Sequence, residues 1–174
     1  MDVLKNQQCP FCGEKKLTLT EDEQDIPFFG KVYLFSMICG GCGAKKSDVE
    51  AAELKEPVKI TFETKNEKDM NVRVVKSSEA TLRIPQLKMD VSPGTASDGY
   101  VTNVEGVLEK FKEILEQVKN DSEDDDGKEK AKTLLKKIWK MKLGDVPVTL
   151  VIEDPTGNSA IISEKALVEK LKKK

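Results

Sequence analysis

Cysteine is the residue type whose spacing in this chain predicts chemistry. The 174 residues contain four cysteines, arranged as two C-x2-C pairs, Cys9 with Cys12 and Cys39 with Cys42. Two residues between thiols allow both sulfur atoms of a pair to reach one metal ion, and two pairs complete a tetrahedral set of thiolates, which suits Zn²⁺. A glycine follows each pair and favours the tight turn that such a site needs. The spacing therefore predicts one zinc site of the ribbon type.

The predicted zinc site is structural rather than catalytic. Four protein ligands leave no open coordination position for water or substrate, whereas a catalytic zinc needs one. The chain has no histidine, which removes the commonest general base and the Ser-His and Cys-His nucleophile pairs. Acidic residues are numerous, but no spacing singles out an acid/base pair. We therefore expect a protein that is not an enzyme.

Two disulfides are the alternative use of the four cysteines. They would require an oxidising compartment, and residues 1–6 contain no apolar stretch that could serve as a secretory signal. No apolar run in the sequence approaches the length of a membrane span. We therefore expect a cytoplasmic protein that holds a metal ion and has no contact with a membrane.

The charge composition argues against a nucleic-acid partner. The formal net charge is −2, so the chain as a whole does not attract a polyanion. Arg73 and Arg83 are its only arginines, and arginine is the usual reader of phosphates and bases. The lysines between Lys128 and Lys142 give one helix a basic face, which is either solvated surface or a contact to an acidic partner.

Short strands are the elements expected to position the zinc site. Residues 17–20 and the aromatic-rich residues 31–38 are predicted strands that leave the first cysteine pair and enter the second. Residues 1–50, the predicted ribbon, bury little apolar surface, so zinc should supply much of their folding energy. Between the strands lies an apolar loop with adjacent Phe28 and Phe29. One ring could pack under the ribbon and the other against the next domain, or the pair could anchor a partner.

Residues 51–174 are predicted to form a second domain, mainly β with a helical insertion. Alternating apolar and polar residues predict strands at 58–62, 72–75 and 80–84, which is typical of an antiparallel sandwich or barrel. Two amphipathic helices are expected within about residues 102–142, separated by the acidic segment 120–127 at an exposed tip. Thr102 and Glu105 are expected to form the capping box of the first helix. Strands resume at 146–152 and 160–162, and residues 164–174 are expected to form a short helix or a frayed tail.

Eight short and unusual strings occur in order along the chain. They are Cys9-Pro10-x-Cys12-Gly13, Ile26-Pro27-Phe28-Phe29, Cys39-x-x-Cys42-Gly43 with Asp48-Val49-Glu50, Asp69-Met70-Asn71 with Val74-Val75-Lys76-Ser77, Ile84-Pro85, Pro93-Gly94-Thr95, Thr102-x-Val104-Glu105-Gly106, and Asp154-Pro155-x-Gly157-Asn158-Ser159. Together these strings resemble those of the ZPR-type zinc-finger family, and the resemblance covers about residues 9–162. The chain resembles one unit, as in the shorter archaeal relatives, whereas eukaryotic members have two in tandem.

The resemblance implies both a fold and a partner. The fold is a zinc ribbon joined to a double-stranded β-helix, or jelly-roll-like, domain with an inserted helical hairpin. The partner is translation elongation factor one-alpha, a GTPase whose folding such a protein would assist. The partner-binding residues expected on this basis are Ile26, Phe28 and Phe29 in the ribbon loop and Lys76, Ser77 and Thr95 in the β domain.

Two alternatives remain open from the sequence. Lys76 and Ser77 could satisfy backbone groups near the base of the hairpin instead of contacting a partner. The alternative function is that of a zinc-ribbon nucleic-acid-binding protein in transcription or translation, whose lysine-rich helix and tail would contact phosphates.

Overall fold

The computed structural model describes residues 1–26, 29–53, 55–94 and 97–171, which form a mainly β protein with two long helices. In chain order, its elements are β1 (Asp2–Gln7), β2 (Leu17–Ile26), β3 (Gly30–Cys39), β4 (Lys45–Ala51), β5 (Val58–Glu63), β6 (Arg73–Lys76), β7 (Thr81–Ile84), β8 (Met89–Val91), β9 (Tyr100–Asn103), α1 (Val104–Asp121), α2 (Asp125–Lys142), β10 (Thr149–Asp154), β11 (Ala160–Ile161) and β12 (Leu167–Lys170).

The first four strands form one antiparallel sheet in the order β1-β2-β3-β4. Strands β2 and β3 pair along their whole length, from Leu17 opposite Cys39 to Ile26 opposite Gly30. Strand β2 is longer than the predicted 17–20, because the polar residues 21–25, which have no strand-like alternation, continue the pairing with β3. Strand β3 extends one residue beyond its predicted range at each end. Strands β1 and β4 were not predicted, since neither has an apolar alternation.

Strands β5 to β12 form two further sheets, ordered β12-β5-β10-β7-β8 and β11-β6-β9. Their facing apolar side chains make the main core, which includes Phe62, Leu82, Leu150 and Val74. This arrangement confirms the predicted mainly β fold with a jelly-roll domain. The expectation of a helix or frayed tail at the C-terminus is wrong for residues 167–170. These form β12, which pairs with β5, and this tertiary pairing overrides the helical propensity of the lysine-rich sequence.

Helices α1 and α2 form the predicted hairpin between β9 and β10, and their apolar faces join the main core through residues such as Phe111 and Ile138. The predicted capping box is wrong. The N-cap of α1 is Asn103, whose Oδ1 accepts a hydrogen bond from the backbone N–H of Gly106 at 2.8 Å. Thr102 does not take that position because α1 begins at Val104, which makes Asn103 the residue before the helix and places Thr102 one residue too early.

The four-stranded sheet packs on the jelly roll through one of its faces. Ile26, Val32 and Val49 from the sheet share an apolar cluster with Val75 and Ala160 from the jelly roll. Strand β4 adds hydrogen bonds across this interface: Ser47 N–H to Asp98 Oδ1 at 2.9 Å, Ser78 N–H to Asp48 Oδ1 at 2.9 Å, and Ala51 N–H to Asn158 Oδ1 at 3.1 Å. The predicted domain boundary between residues 50 and 51 stays a prediction. The contacts above join the two parts but do not locate a boundary between them.

Candidate metal centre and its surroundings

The two cysteine pairs lie on equivalent turns at one end of the four-stranded sheet. In the first turn, Cys9 N–H donates to Glu14 O and Gly13 N–H donates to Cys9 O, both at 2.9 Å. In the second, Cys39 N–H donates to Ala44 O at 2.9 Å, and Gly43 N–H donates to Cys39 O at 3.0 Å. Gly13 and Gly43 have φ angles of 76° and 75°. Glycine adopts this left-handed conformation without strain, which confirms the predicted role of both residues.

The four sulfur atoms are arranged as a tetrahedral metal site requires. All of them lie within 4.8 Å of one another. Cys9 Sγ is 3.8 Å from Cys42 Sγ, and Cys12 Sγ is 3.7 Å from Cys39 Sγ. A tetrahedron of thiolates at the usual Zn–S distance of about 2.3 Å has edges of about 3.8 Å. The four thiols are free and too far apart for disulfide bonds of about 2.05 Å. The donors therefore fit one Zn²⁺, and the disulfide alternative does not fit.

The backbone around the thiols prepares part of the site for a cation. Backbone N–H groups of Cys42 and Gly41 lower the pKa of the Cys39 thiol to about 6, and the Gly41 N–H lies 3.3 Å from Cys39 Sγ. The Glu14 N–H also lowers the pKa of Cys12, but burial and hydrogen bonds with the three other thiols outweigh it and raise that pKa to about 12. A divalent cation would offset the repulsion among four thiolates, so binding should release protons.

The face of the four-stranded sheet that points away from the jelly roll is apolar and leads into the metal centre. We call it the outer ribbon face and define it by Leu4, Leu19, Phe35 and Met37. Leu4 pairs with Leu19, and Leu19 pairs with Met37, so the three side chains share one face. These residues line a shallow cavity of about 320 Å³. The sequence analysis missed this surface, although the nearly continuous apolar run of residues 32–38 indicated that both faces of this strand carry apolar side chains.

The outer ribbon face and the metal centre are physically continuous. Leu19 and Met37 pack against the cluster of Cys9, Leu17 and Cys39, whose three members are almost fully buried. Leu4 is 59% exposed and Phe35 is half-buried. Folding of the metal centre therefore fixes the positions of apolar side chains that remain accessible to another protein.

The predicted ribbon-loop residues lie on the opposite side, at the interface with the jelly roll. Ile26 is fully buried there, and Phe29 is half-buried and packs against the same cluster. Lys55 covers Phe29 with its ammonium 5.0 Å from the ring centroid and donates a hydrogen bond to the Phe29 carbonyl at 3.3 Å. Phe28 lies outside the described residues. The assignment of Ile26, Phe28 and Phe29 to partner binding stays a prediction.

The predicted residues of the jelly roll occupy a buried polar network. Lys76 Nζ donates to the Ser77 carbonyl at 2.9 Å, and burial lowers the pKa of Lys76, although Asp154, Asp48 and Asp98 partly oppose that shift. Ser77 Oγ donates to Asp154 Oδ2 at 2.8 Å. Both residues are about 2% exposed, so in this conformation they satisfy internal groups. Their role in partner binding stays a prediction, and Thr95 lies outside the described residues.

Asp154 is a residue of this network that the sequence analysis mentioned only as part of a turn. Its carboxylate is fully buried and accepts hydrogen bonds from Ser77, Ser159 and Thr156. It thereby joins the end of β10 to β6 and to the turn before β11. Because β6 and β11 also contact the four-stranded sheet, the network supports the surface on which the ribbon rests.

Within the described part of the chain, neither helix is apolar enough over its length to cross a membrane.

Two family models match the sequence: the ZPR1 zinc-finger domain over residues 3–56 and the ZPR1 jelly-roll domain over residues 68–173.

Relatives in archaea and eukaryotes match most of the chain. It is 41% identical over 165 residues to an uncharacterized ZPR1-like protein of Methanocaldococcus jannaschii, covering 94% of this chain and 83% of the relative. A ZPR1-like protein of Pyrococcus horikoshii is 39% identical over 169 residues, covering 95% and 76%. The zinc finger chaperone zpr1 of Schizosaccharomyces pombe is 36% identical over 163 residues, which cover 88% of this chain and 33% of the yeast protein. With its four-cysteine zinc site, its jelly roll and these matches, the chain belongs to the ZPR1 zinc-finger family.

Proposed function

We propose that this chain is a zinc-dependent protein-binding module that assists the folding of translation elongation factor one-alpha in the cytoplasm. The continuity between the metal centre and the outer ribbon face is the observation that carries the proposal. Zinc fixes this face, and its apolar side chains cover apolar surface of an immature partner. The module then suppresses aggregation of the partner without covalent chemistry.

The proposed partner is inferred from the family resemblance, whereas the proposed mode of binding is inferred from the apolar side chains of the outer ribbon face. ZPR-type sequences are associated with elongation factor one-alpha, and the relative in fission yeast is named a zinc finger chaperone. Apolar and aromatic side chains dominate the binding energy of protein interfaces, and the outer ribbon face supplies Phe35, Met37 and two leucines. Charged residues such as Glu21 and Lys46 surround the same cavity and would form the polar rim of an interface.

Binding of purified elongation factor to variants of the full chain tests the proposal. The double variant Leu19→Ser, Met37→Ser should weaken binding about thirtyfold or more, the effect of losing two apolar contacts at an interface centre. The matched control is Leu167→Ser, Val168→Ser on β12, which removes two exposed apolar side chains from the jelly roll and should leave the affinity unchanged. Zinc content and thermal stability of each variant are measured in parallel.

Two results would contradict the proposal. One is unchanged affinity of the outer-face variant while its zinc content is intact. The other is saturable binding to a single-stranded RNA oligonucleotide that weakens steeply between low and moderate salt, with no binding of the elongation factor. The second result would favour the nucleic-acid alternative, because phosphate contacts depend strongly on salt and an apolar interface does not.

A further inference from the structure

Helix α2 carries an exposed apolar and basic surface that is separate from the ribbon. Leu135 and Trp139 are four residues apart in α2, and Leu143, four residues further, is the C-cap residue and keeps helical backbone angles. This spacing places the three side chains on one face. Trp139, the single tryptophan of the chain, is 64% exposed, and Leu143 is 52% exposed. Leu135 is half-buried and packs against the edge of the main core. Together they form an apolar stripe, which we call the α2 stripe.

Lysines border the α2 stripe. Lys128, Lys132 and Lys136 share the stripe's side of the helix by their spacing, and Lys140 follows directly after Trp139. Among the described residues, Lys128, Lys136 and Lys140 have no carboxylate within the 4.0 Å of an ion pair, whereas Lys142 is paired with Glu105 at 3.2 Å and Glu109 at 2.8 Å. Lys142 is therefore engaged within the hairpin, Lys132 lies 3.8 Å from Glu129, and Lys128 is next to the acidic end of the helix. Lys136 and Lys140, on either side of Trp139 in the sequence, supply the positive charges available beside the stripe.

We propose that the α2 stripe binds an acidic segment of another protein, in which carboxylates flank an apolar side chain. The exposed part of Trp139 amounts to roughly 150 Å² of mostly apolar surface, and tryptophan is among the commonest hot-spot residues of protein interfaces. Because lysines surround Trp139, a complementary partner segment must be negatively charged. This surface is independent of the outer ribbon face, and the proposal does not rest on the function proposed above.

The charge distribution along α2 favours a short protein segment over a nucleic acid or a membrane. The N-terminal end of α2 and the preceding loop contain Asp121, Glu123, Asp124, Asp125 and Asp126. About ten residues, or roughly 15 Å of helix, separate this acidic end from Lys136. A long polyanion or an anionic membrane surface lying along the hairpin would therefore meet these carboxylates as well as the lysines. Both arginines lie on jelly-roll strands, outside α2, so the stripe also lacks the usual phosphate ligand.

A designed peptide tests the chemistry of the α2 stripe directly. The probe is a fluorescein-labelled peptide of about ten residues, roughly 15 Å long when helical, with leucines at helical spacing and glutamates elsewhere, so that it covers the C-terminal half of α2 without reaching the acidic end. Binding to the full-length, zinc-loaded protein is followed by fluorescence anisotropy, and the emission of Trp139 reports whether its ring is covered. We expect saturable binding with a Kd of about 10–100 µM and a blue shift of the tryptophan emission.

Variants locate the peptide and separate charge from apolar contact. Trp139→Ala should weaken binding about thirtyfold, and Lys136→Glu, Lys140→Glu should weaken it at least about tenfold. Two controls match them. Val118→Ala removes a 52% exposed apolar side chain of α1, and Lys65→Glu, Lys68→Glu makes the same charge change at exposed positions before β6. Neither control should change the affinity, and circular dichroism should show that all variants are folded.

Three results would overturn the proposal. The first is a lack of saturable binding of the acidic peptide up to about 1 mM. The second is equal binding of a peptide in which lysine replaces every glutamate. The third is binding of a single-stranded RNA oligonucleotide, or of vesicles rich in phosphatidylserine, that depends on Trp139 and Lys136 while the acidic peptide fails to compete.

Discussion

Removal of zinc should unfold the metal-binding half of the ribbon while the other half stays attached to the jelly roll. The turns Cys9–Glu14 and Cys39–Ala44 contain about a dozen residues, and ordering each costs about 1 kcal/mol or more. Zinc binding to such sites supplies about 10–16 kcal/mol, which is close to that ordering cost. The small apolar cluster around Leu17 offsets only about 2–3 kcal/mol, so these turns depend on the metal.

The opposite half of the ribbon has support that does not involve the metal. Ile26, Val32 and Val49 are fully buried against the jelly roll. The hydrogen bonds of β4 to Asp98, Ser78 and Asn158 add to these contacts. Because these interactions lie at the far end of β2 and β3 from the cysteines, loss of the metal removes none of them directly.

Hydrogen exchange measured by mass spectrometry, with zinc bound and after chelation, resolves the two halves. Peptides covering residues 9–19 and 37–45 should lose protection after chelation, whereas peptides covering residues 47–51 should keep most of it. Cys39→Ser should reproduce the pattern without a chelator. Ile38→Ser, which changes the neighbouring exposed side chain, is the control and should retain zinc.

Two exchange patterns would refute this reasoning. Unchanged protection of the cysteine turns after chelation would show that the metal does not supply their folding energy. Equal loss of protection along all of β2, β3 and β4 would show that the interface with the jelly roll cannot hold the ribbon without zinc.

Three further predictions concern the jelly roll and the hairpin. Asp154→Ala should lower the free energy of unfolding in urea by about 3–5 kcal/mol, because it leaves the Ser77 hydroxyl and the Thr156 N–H without their acceptor. A loss below about 1 kcal/mol would contradict the role of this network. Lys165 and the Lys65 N–H hold the pKa of Asp69 below its usual value, so this carboxylate stabilises the fold above about pH 4 and the stabilisation is lost as the pH falls through its folded-state pKa. Lys165→Met should flatten that acid limb in a series of urea titrations, and an identical pH profile would refute the assignment. Gly106→Ala should destabilise by about 1–2 kcal/mol, because the added Cβ would clash with the Thr102 hydroxyl; Thr102→Ala should rescue it, and a rise in melting temperature of the single variant would contradict this explanation.

The sequence predicted features whose determinants are local. The spacing of the cysteines and the glycines after them was enough to predict the metal site, because a C-x2-C turn closes on itself. The helical hairpin followed from the apolar spacing along α1 and from the acidic segment at its tip. The alternation around Phe62 and Leu82 likewise indicated the sandwich, since a strand that is half-buried has a period of two.

Features that depend on distant partners were missed. Strand β12 exists because β5 offers it an edge, and nothing in the lysine-rich tail of residues 164–174 indicates that edge. The burial of Lys76 depends on the loop before β9, which is distant in sequence: the Lys76 ammonium donates to the carbonyl of Ser77 and, at 3.5 Å, to that of Asp98. The capping box failed for a related reason: Thr102 and Asn103 both have side chains that can cap a helix, but the β9–β6 pairing extends through Asn103, so α1 begins at Val104 and Asn103 is its cap.

Native mass spectrometry of the purified full-length chain tests the central claim most directly. The account predicts one zinc ion per chain, bound with release of the thiol protons of Cys9, Cys12, Cys39 and Cys42. Replacement of any one of these cysteines by serine should abolish zinc binding. A chain that contains no stoichiometric metal and keeps its hydrogen-exchange protection at residues 9–14 and 39–44 would contradict it.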